Sequence, residues 1–147
     1  MTPFRRILYA TDFSDASAAA FAKAIEMARS NDAELLIAHA YLPPSLWADG
    51  FVAPAVYQQV DAGMREEAEK KLEALEESAR KAGARPRTLV LLGAPYEAIV
   101  QAAAENNADL VVLGTHGRTG AARFFLGSVA SRVISSAHCP VLTIRGR

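Results

Sequence analysis

The stretch best suited to chemistry is glycine-rich: Gly114-Thr115-His116-Gly117-Arg118-Thr119-Gly120, followed by Gly127-Ser128. Gly114 lets a backbone turn tightly out of a strand, and Gly117 lets it approach a bound group with no Cβ in the way. Gly127 and Ser128 open a segment with helical spacing. Unpaired amides and the positive end of the helix dipole sit there, where a phosphate is stabilised. The Ser128 hydroxyl can cap that helix or donate to a phosphate oxygen. Arg118 and Arg123 flank the stretch; they can pair with phosphates and equally suit exposed positions. Neither common nucleotide fingerprint is present: there is no GxxxxGK[ST], and no GxGxxG behind the first strand. The glycines alone fit a plain strand-to-helix connection as well as a ligand loop.

Asp12 is the one carboxylate that falls at a strand end beside this region. It can cap the first helix, or it can contact a metal or a ribose; Mg²⁺ commonly takes one or two carboxylates plus phosphate oxygens. His116, between two glycines, reads as a loop histidine bonded to backbone, with ligand contact as the alternative. His39 and His138 have no partner at metal-ligand spacing, so no zinc site is expected. Cys139, next to Pro140, reads as a small buried hydrophobe. Trp47 and Phe51 form either a lid, a partner surface or part of the core.

The elements that must hold these residues alternate along the chain. Residues 5–10 (RRILYA) form a β-rich run that ends at Thr11-Asp12. Ser14 or Asp15 can cap a helix carrying Ala18, Phe21, Ala22, Ile25 and Ala28 at helical spacing. A second strand spans 34–41 (ELLIAHAY). From 42 to 57 the pattern fails, with prolines at 43, 44 and 54; long loops of this kind tend to be functional or mobile. Met64, Ala68, Leu72, Leu75, Ala79 and Ala82 mark the next helix, and Gly83 is a natural stop. Its solvent side carries Glu66–Lys70, Glu67–Lys71, Glu76–Arg80 and Glu77–Lys81 at i,i+4, worth about 0.3 kcal/mol each. Strands follow at 88–92, 109–113 and 141–144. Helices lie between them, one opening at Pro95 and running to Asn106-Asn107, one spanning 128–137. Continuous apolar strands separated by helices indicate a parallel sheet covered on both faces, and right-handed crossovers make it doubly wound. In such an α/β fold a ligand binds outside the carboxyl ends of the strands, where the strand order reverses.

Composition bounds the function. The 147 residues read as one domain over 1–147, and 51% are apolar, enough for a core. Sixteen basic and sixteen acidic side chains cancel, which gives no reason to expect a nucleic-acid or membrane partner. No apolar run approaches the roughly 20 residues of a spanning helix, and no signal peptide is expected behind the charged N-terminus. A single cysteine excludes an internal disulfide and fits a cytoplasmic setting.

The spacing Gly114-x2-Gly117-x9-Gly127-Ser128 is similar to the signature of the ATP-binding branch of the universal stress protein family. ILYATDFS at 7–14 resembles that family's first strand and turn, and His39-Ala40 the end of its second strand. DLVVLGTHGRTG at 109–120, LGSVA at 126–130 and CPVLTIR at 139–145 resemble its C-terminal half. The resemblance implies a five-stranded parallel sheet of order 3-2-1-4-5, of the adenine nucleotide alpha hydrolase-like type, with its switch point between strands one and four. It implies that Ala10, Thr11 and Asp12 line the site, with Asp12 helping to place Mg²⁺. Ala40 would face the adenine of ATP; many members carry Val there, so this wall is less filled. Leu113, Gly114 and Gly117 would hold ribose and α-phosphate. Gly127, Ser128 and Val129 would hold the outer phosphates.

Three functions from different classes follow. The first is a nucleotide-binding regulatory protein read by an unidentified protein partner. The second is a slow ATP hydrolase, which the lack of a loop lysine and of a second carboxylate disfavours, so trace turnover at most is expected. The third is a dimeric scaffold with an empty pocket, for which the glycine spacing would serve no purpose. A homodimer through strand 141–144 is expected in any case. That run has Thr143 as its only polar residue and would leave an apolar, uncharged sheet edge, and many universal stress proteins dimerise through this strand.

Overall fold

Apolar side chains at consecutive positions of a strand must find cover on both faces of a sheet. In the computed structural model, which describes residues 3–43, 53–116 and 126–146, they do. The chain runs β1 (Arg6–Ala10), α1 (Asp15–Asn31), β2 (Glu34–Tyr41), α2 (Pro54–Lys81), β3 (Arg85–Leu92), α3 (Pro95–Glu105), β4 (Leu110–Gly114), α4 (Ser128–Ser136) and β5 (Val141–Ile144). The strands form one sheet of order β3-β2-β1-β4-β5, and every pairing is parallel. This is the expected order. β1 is central, with Leu8 opposite Leu36 on one side and Val111 on the other.

Alternation divides the core in two. Ile7, Tyr9, Leu35, Ile37 and Val112 pack with Ala20, Ala24 and Ala28 of α1 and Leu72 and Ala79 of α2. Leu8, Leu36, Val111 and Leu113 pack on the other face with Ile99, Ala102 and Ala103 of α3 and Ala130 and Val133 of α4. Helices cover both faces, as a doubly wound sheet requires.

Two local readings change. On α1 the inward stripe is Ser17, Ala20, Ala24 and Ala28, while Ala18 and Ala22 are exposed. Alanine occurs all round this helix, so its apolar period is ambiguous; which alanines face inward is decided by contact with the sheet. β3 begins at Arg85, three residues before the expected Thr88, and includes Pro86. Proline is tolerated because β3 is an edge strand, with no strand paired to its outer side among the described residues. The four expected glutamate–cation pairs of α2 are all formed, at 3.0–3.6 Å. Among the described residues no helix is long and apolar enough to cross a membrane.

The amino ends of the strands are tied by charge. Asp109 accepts hydrogen bonds from the Arg5 and Arg6 backbone N–H groups, at 2.8 and 3.2 Å. Glu34 lies between Arg87, at 2.8 Å, and Arg6, at 3.3 Å. The Arg87 hydrogen bond, and the charges of both arginines, hold the Glu34 carboxyl below its ordinary range.

A group with a lowered folded pKa contributes stability above its unfolded value and loses it as pH falls through the folded one. Glu34→Gln should therefore cost about 0.2–1 kcal/mol at pH 7, as for other solvent-accessible pairs. The difference from wild type should vanish once Glu34 is protonated. Leu36→Ala, at a fully buried site, should cost about 2–5 kcal/mol at either pH. Urea unfolding at the two pH values checks both; equal losses for the two variants would contradict this division between core and surface.

Candidate functional site

The chain leaves β1 through Thr11 and Asp12, and the turn they form is closed by their own side chains. The Thr11 hydroxyl accepts the Phe13 N–H at 2.9 Å, and Asp12 Oδ1 accepts the Ser14 N–H at 2.9 Å. Such short-range bonds let Thr and Asp cap turns that precede helices. Ser14 occupies the cap position of α1 but makes no side-chain cap bond. Ser17, one turn into α1 and 6% exposed, donates its hydroxyl hydrogen to the Ser14 carbonyl at 2.7 Å. That hydroxyl has no second hydrogen. Its 3.1 Å contact with Thr11 Oγ1 is therefore donated by Thr11. The Thr11 N–H donates to the Ala38 carbonyl at 2.9 Å, and the Thr11 carbonyl receives His39 Nδ1 at 2.8 Å. Every polar group of Thr11 thus has a partner within the protein. Thr11 lines the site, as expected, yet it offers a ligand carbon surface and no new donor.

A carbonyl can only accept, so the geometry assigns the His39 proton to Nδ1. The His39 ring lies against Phe13, with centroids 4.3 Å apart, and Lys71 Nζ sits 5.3 Å from the Phe13 centroid. Phe13 has φ of 63°, an unusual conformation for a bulky residue. The Thr11 hydroxyl and this stacking hold it there. The Tyr9 phenol, raised in pKa chiefly by burial, donates to the Ser17 carbonyl at 2.9 Å and anchors α1 from beneath.

The opposite wall comes from the end of β4 and the start of α4. A Cβ on Gly114 would lie 3.4 Å from the Ala16 carbonyl, so this glycine admits the first turn of α1 close to the strand. Gly127 donates its N–H to the Thr115 carbonyl at 2.6 Å. A Cβ there would stand 2.8 Å from that same oxygen. Its requirement is thus internal closure of the loop, where the sequence suggested room for a phosphate. Gly127, with no side chain to offer, is also the residue at the cap of α4, and Ser128 is the first residue of the helix. The first bond inside α4 runs from the Ser131 N–H to the Gly127 carbonyl at 2.9 Å. Earlier amides, those of Ser128, Val129 and Ala130, have no acceptor within the helix. Thr115 is held from a second side, its N–H donating to the Ile144 carbonyl of β5 at 3.0 Å. Thr115 Oγ1 and His116 Nδ1 are hydrogen-bonded at 2.9 Å.

These walls enclose a cavity of about 260 Å³ at the carboxyl ends of β1, β2 and β4. It brings together Ala10, Thr11 and Asp12 from the β1 end, Ala40 from β2, Leu113 and Gly114 from β4, and Gly127, Ser128 and Val129 at α4. Gly117, Arg118 and Arg123, like Trp47 and Phe51, lie outside the described residues. Five lining residues have no counterpart among the expected set: Ser17, Pro95, Ile99, Thr115 and Ala130. Pro95 and Ile99 were legible only as helix residues, because their place beside Ala40 depends on how α3 crosses the sheet. His39 and His116 line the cavity too. Among the described residues no group of three or more His, Cys, Asp or Glu side chains is arranged to hold a metal. Cys139 is half-buried, packs on the α3/α4 face and has its thiol raised in pKa, first by burial and then by Asp109.

Residues 3–145 match the model of the universal stress protein family. A universal stress protein of Thermus aquaticus is 40% identical over 143 residues, which cover 97% of this chain and 99% of that one. Among solved structures, protein MJ0577 of Methanocaldococcus jannaschii superposes with a TM-score of 0.85 at 25% identity, over 99% and 98% of the two chains. A universal stress protein in complex with cAMP matches with a TM-score of 0.69 at 29% identity, over 99% of each chain. One from Archaeoglobus fulgidus in complex with dAMP matches at 0.71 and 26%, over 97% and 99%.

The glycine geometry separates two substitutions. Gly127→Ala forces a Cβ to within 2.8 Å of a backbone oxygen and should destabilise the protein by about 1–3 kcal/mol with no ligand present. Gly114→Ala, whose nearest contact is 3.4 Å, should cost less. Denaturant unfolding of the ligand-free variants checks the order; a reversed order would show that the loop closes differently.

Proposed function

The chain belongs to the universal stress protein family, and from that premise we propose that it binds an adenine nucleotide, ATP with Mg²⁺, as a regulatory ligand. The observation that carries this reading is the cavity at the switch point, with small apolar walls at one end and the start of α4 at the other. Ala10, Ala40, Pro95 and Ile99 suit the flat, apolar faces of a purine. Leu113 and Gly114 would border the ribose and α-phosphate. The outer phosphates suit the first amides of α4, since anions are stabilised at a helix N-terminus. Because the Gly127 N–H is bonded to Thr115, that contact falls to Ser128 and Val129. Relatives in complex with cAMP and dAMP favour the adenine class.

Asp12 suits the metal. One oxygen is turned by the Ser14 N–H, which orients the carboxylate, and Mg²⁺ completes its shell with phosphate oxygens and water. Asp12 is the only carboxylate lining the cavity among the described residues, and no lysine or arginine lines it there. Multiple-turnover phosphoryl transfer usually recruits a cationic clamp and a residue that orients the nucleophile. A regulatory role, read by a protein partner, therefore fits better than a hydrolase.

The same reading includes a homodimer through β5. The Pro140 and Ile144 carbonyls accept from Val111 and Thr115 of the β4 side. By the two-residue alternation of a ladder, Thr143 then turns its N–H toward the open edge. Leu142 and Ile144 pack on the α1/α2 face of the core, so a charge at 142 would damage the fold and test nothing. Edge pairing about a twofold axis would satisfy the outward groups.

MgATP should raise the melting temperature, because a ligand specific for the native state adds RT ln(1 + [L]/Kd), about 2.7 kcal/mol at a hundredfold excess over Kd. No shift at millimolar MgATP would overturn the nucleotide reading. In sedimentation the wild type should run at roughly twice the 15.7 kDa chain mass. Thr143→Pro removes an outward N–H at an edge, where proline is tolerated, and should move the protein toward monomer with its melting curve retained. A wild-type monomer at tens of micromolar would count against this interface.

A further inference from the structure

α2 changes character along its length. Residues 65–81 carry eleven charged side chains, the four glutamate–cation pairs described above and every buried residue of the helix, Ala68, Leu72 and Ala79. Residues 54–64 carry one charge, Asp61, and no buried residue. This segment meets the sheet through the Tyr41 hydroxyl, which donates to Asp61 Oδ1 at 2.9 Å. Tyr41 ends β2, so the turns before Asp61 stand past the carboxyl end of the sheet. Val56 is 49% exposed and Val60 40%. Gly63 falls on the same side of the helix, two turns after Val56 and one after Val60. A Cβ on Gly63 would meet nothing within 4 Å. No neighbour in the chain therefore requires a glycine there, and a glycine inside a helix is costly. The amino end is equally unprovided. Ala53 holds the cap position with no side-chain bond, and the first turn has no acidic residue; a cap or an acidic side chain is the usual means of offsetting the unpaired amides.

We propose that residues 54–67 of α2 form a self-docking surface, which pairs antiparallel with the same segment of a second copy. With the twofold axis beside Val60, that valine meets its own copy, and Val56 seats on the bare backbone at Gly63 of the partner subunit. Glu67 then lies beside the uncapped amino end of the opposite α2, where negative charge is stabilised. Parallel pairing would bring two positive helix ends together and set Glu66 and Glu67 against their own copies, so charge selects the antiparallel form. Cover for the valines, a close approach at Gly63 and a charge at the amino end are what one chain lacks, and a twofold contact supplies all three reciprocally. A segment of this length spans about 21 Å. One helix pair of that size falls below a standard interface of about 1,200–2,000 Å², so the association is weak and concentration-dependent. α2 packs on β2 and β3, at the end of the sheet away from β5, so this contact is independent of pairing through β5.

Sedimentation equilibrium from micromolar to millimolar chain tests the contact, on the wild type and on Thr143→Pro. In both, the average mass should rise with concentration beyond what β5 pairing alone gives. Gly63→Gln should abolish that rise, weakening the association about tenfold or more. Because a better helix former then stands in open space, the same variant should keep or raise the melting temperature, which separates lost docking from lost folding. Cysteine pairing tests the register, in a Cys139→Ala background that removes the single native thiol. Val60→Cys should form a disulfide between two chains. Val56→Cys should join Gly63→Cys when the two variants are mixed, while neither joins itself, since a disulfide spans only about 4.4–6.8 Å between Cα atoms. A mass that does not rise, or a rise that Gly63→Gln leaves intact, overturns the proposal. Val56→Cys joining its own copy overturns it too, because it requires parallel helices. None of these readings depends on nucleotide, so their failure leaves the nucleotide reading standing.

Discussion

β1 is bonded to β2 on one side and β4 on the other, and Ile7, Leu8, Tyr9 and Ala10 are buried. A strand so enclosed cannot move or change register without exposing a whole face to water. The two chain directions diverge from it: α1 leads to β2 over one face, and α3 leads to β4 after the chain has crossed back. At the carboxyl ends of β1 and β4 the connections therefore depart to opposite sides. The gap they leave is the cavity, and it exists because of this order rather than because of any single side chain.

Within that gap, hydrogen-bond saturation decides what each residue can offer. Thr11 is polar by type, yet each of its groups is engaged by Phe13, Ser17, Ala38 or His39. Asp12 differs by type, because a carboxylate carries two oxygens that accept only and presents several acceptor sites. The same accounting engages the Gly127 N–H with the Thr115 carbonyl, so the N–H groups at the start of α4 that lack a helical acceptor are those of the residues after it. Buried polar groups are rarely left unpaired, and the partners they choose inside the protein limit those available outside it.

The two ends of the sheet use polar chemistry differently. At the amino ends, Glu34 and Asp109 meet arginines and backbone N–H groups in bonds that are largely satisfied and partly exposed. They set the starting register of β1 against its neighbours. At the carboxyl ends, glycines and alanines keep side chains short: Ala10, Ala40, Gly114 and Gly127. A packed interior leaves few voids, so a cavity of this size at one end reflects small residues placed where larger ones would have filled it.

The order of elements, the parallel character of the sheet and the glycine loop after β4 were legible in the residues, because apolar runs of strand length and glycine spacing are local signals. The strand order and the set of residues from three strand ends came with the family resemblance in ILYATDFS and DLVVLGTHGRTG. Tertiary structure alone decided which alanines of α1 face inward, since contact with the sheet breaks a tie that composition leaves. It alone extended β3 through Pro86, since proline is allowed only where no outer neighbour needs its N–H. It alone brought Ser17, Pro95 and Ile99 to the cavity and closed Gly127 onto Thr115, because those meetings join residues that sequence spacing does not relate.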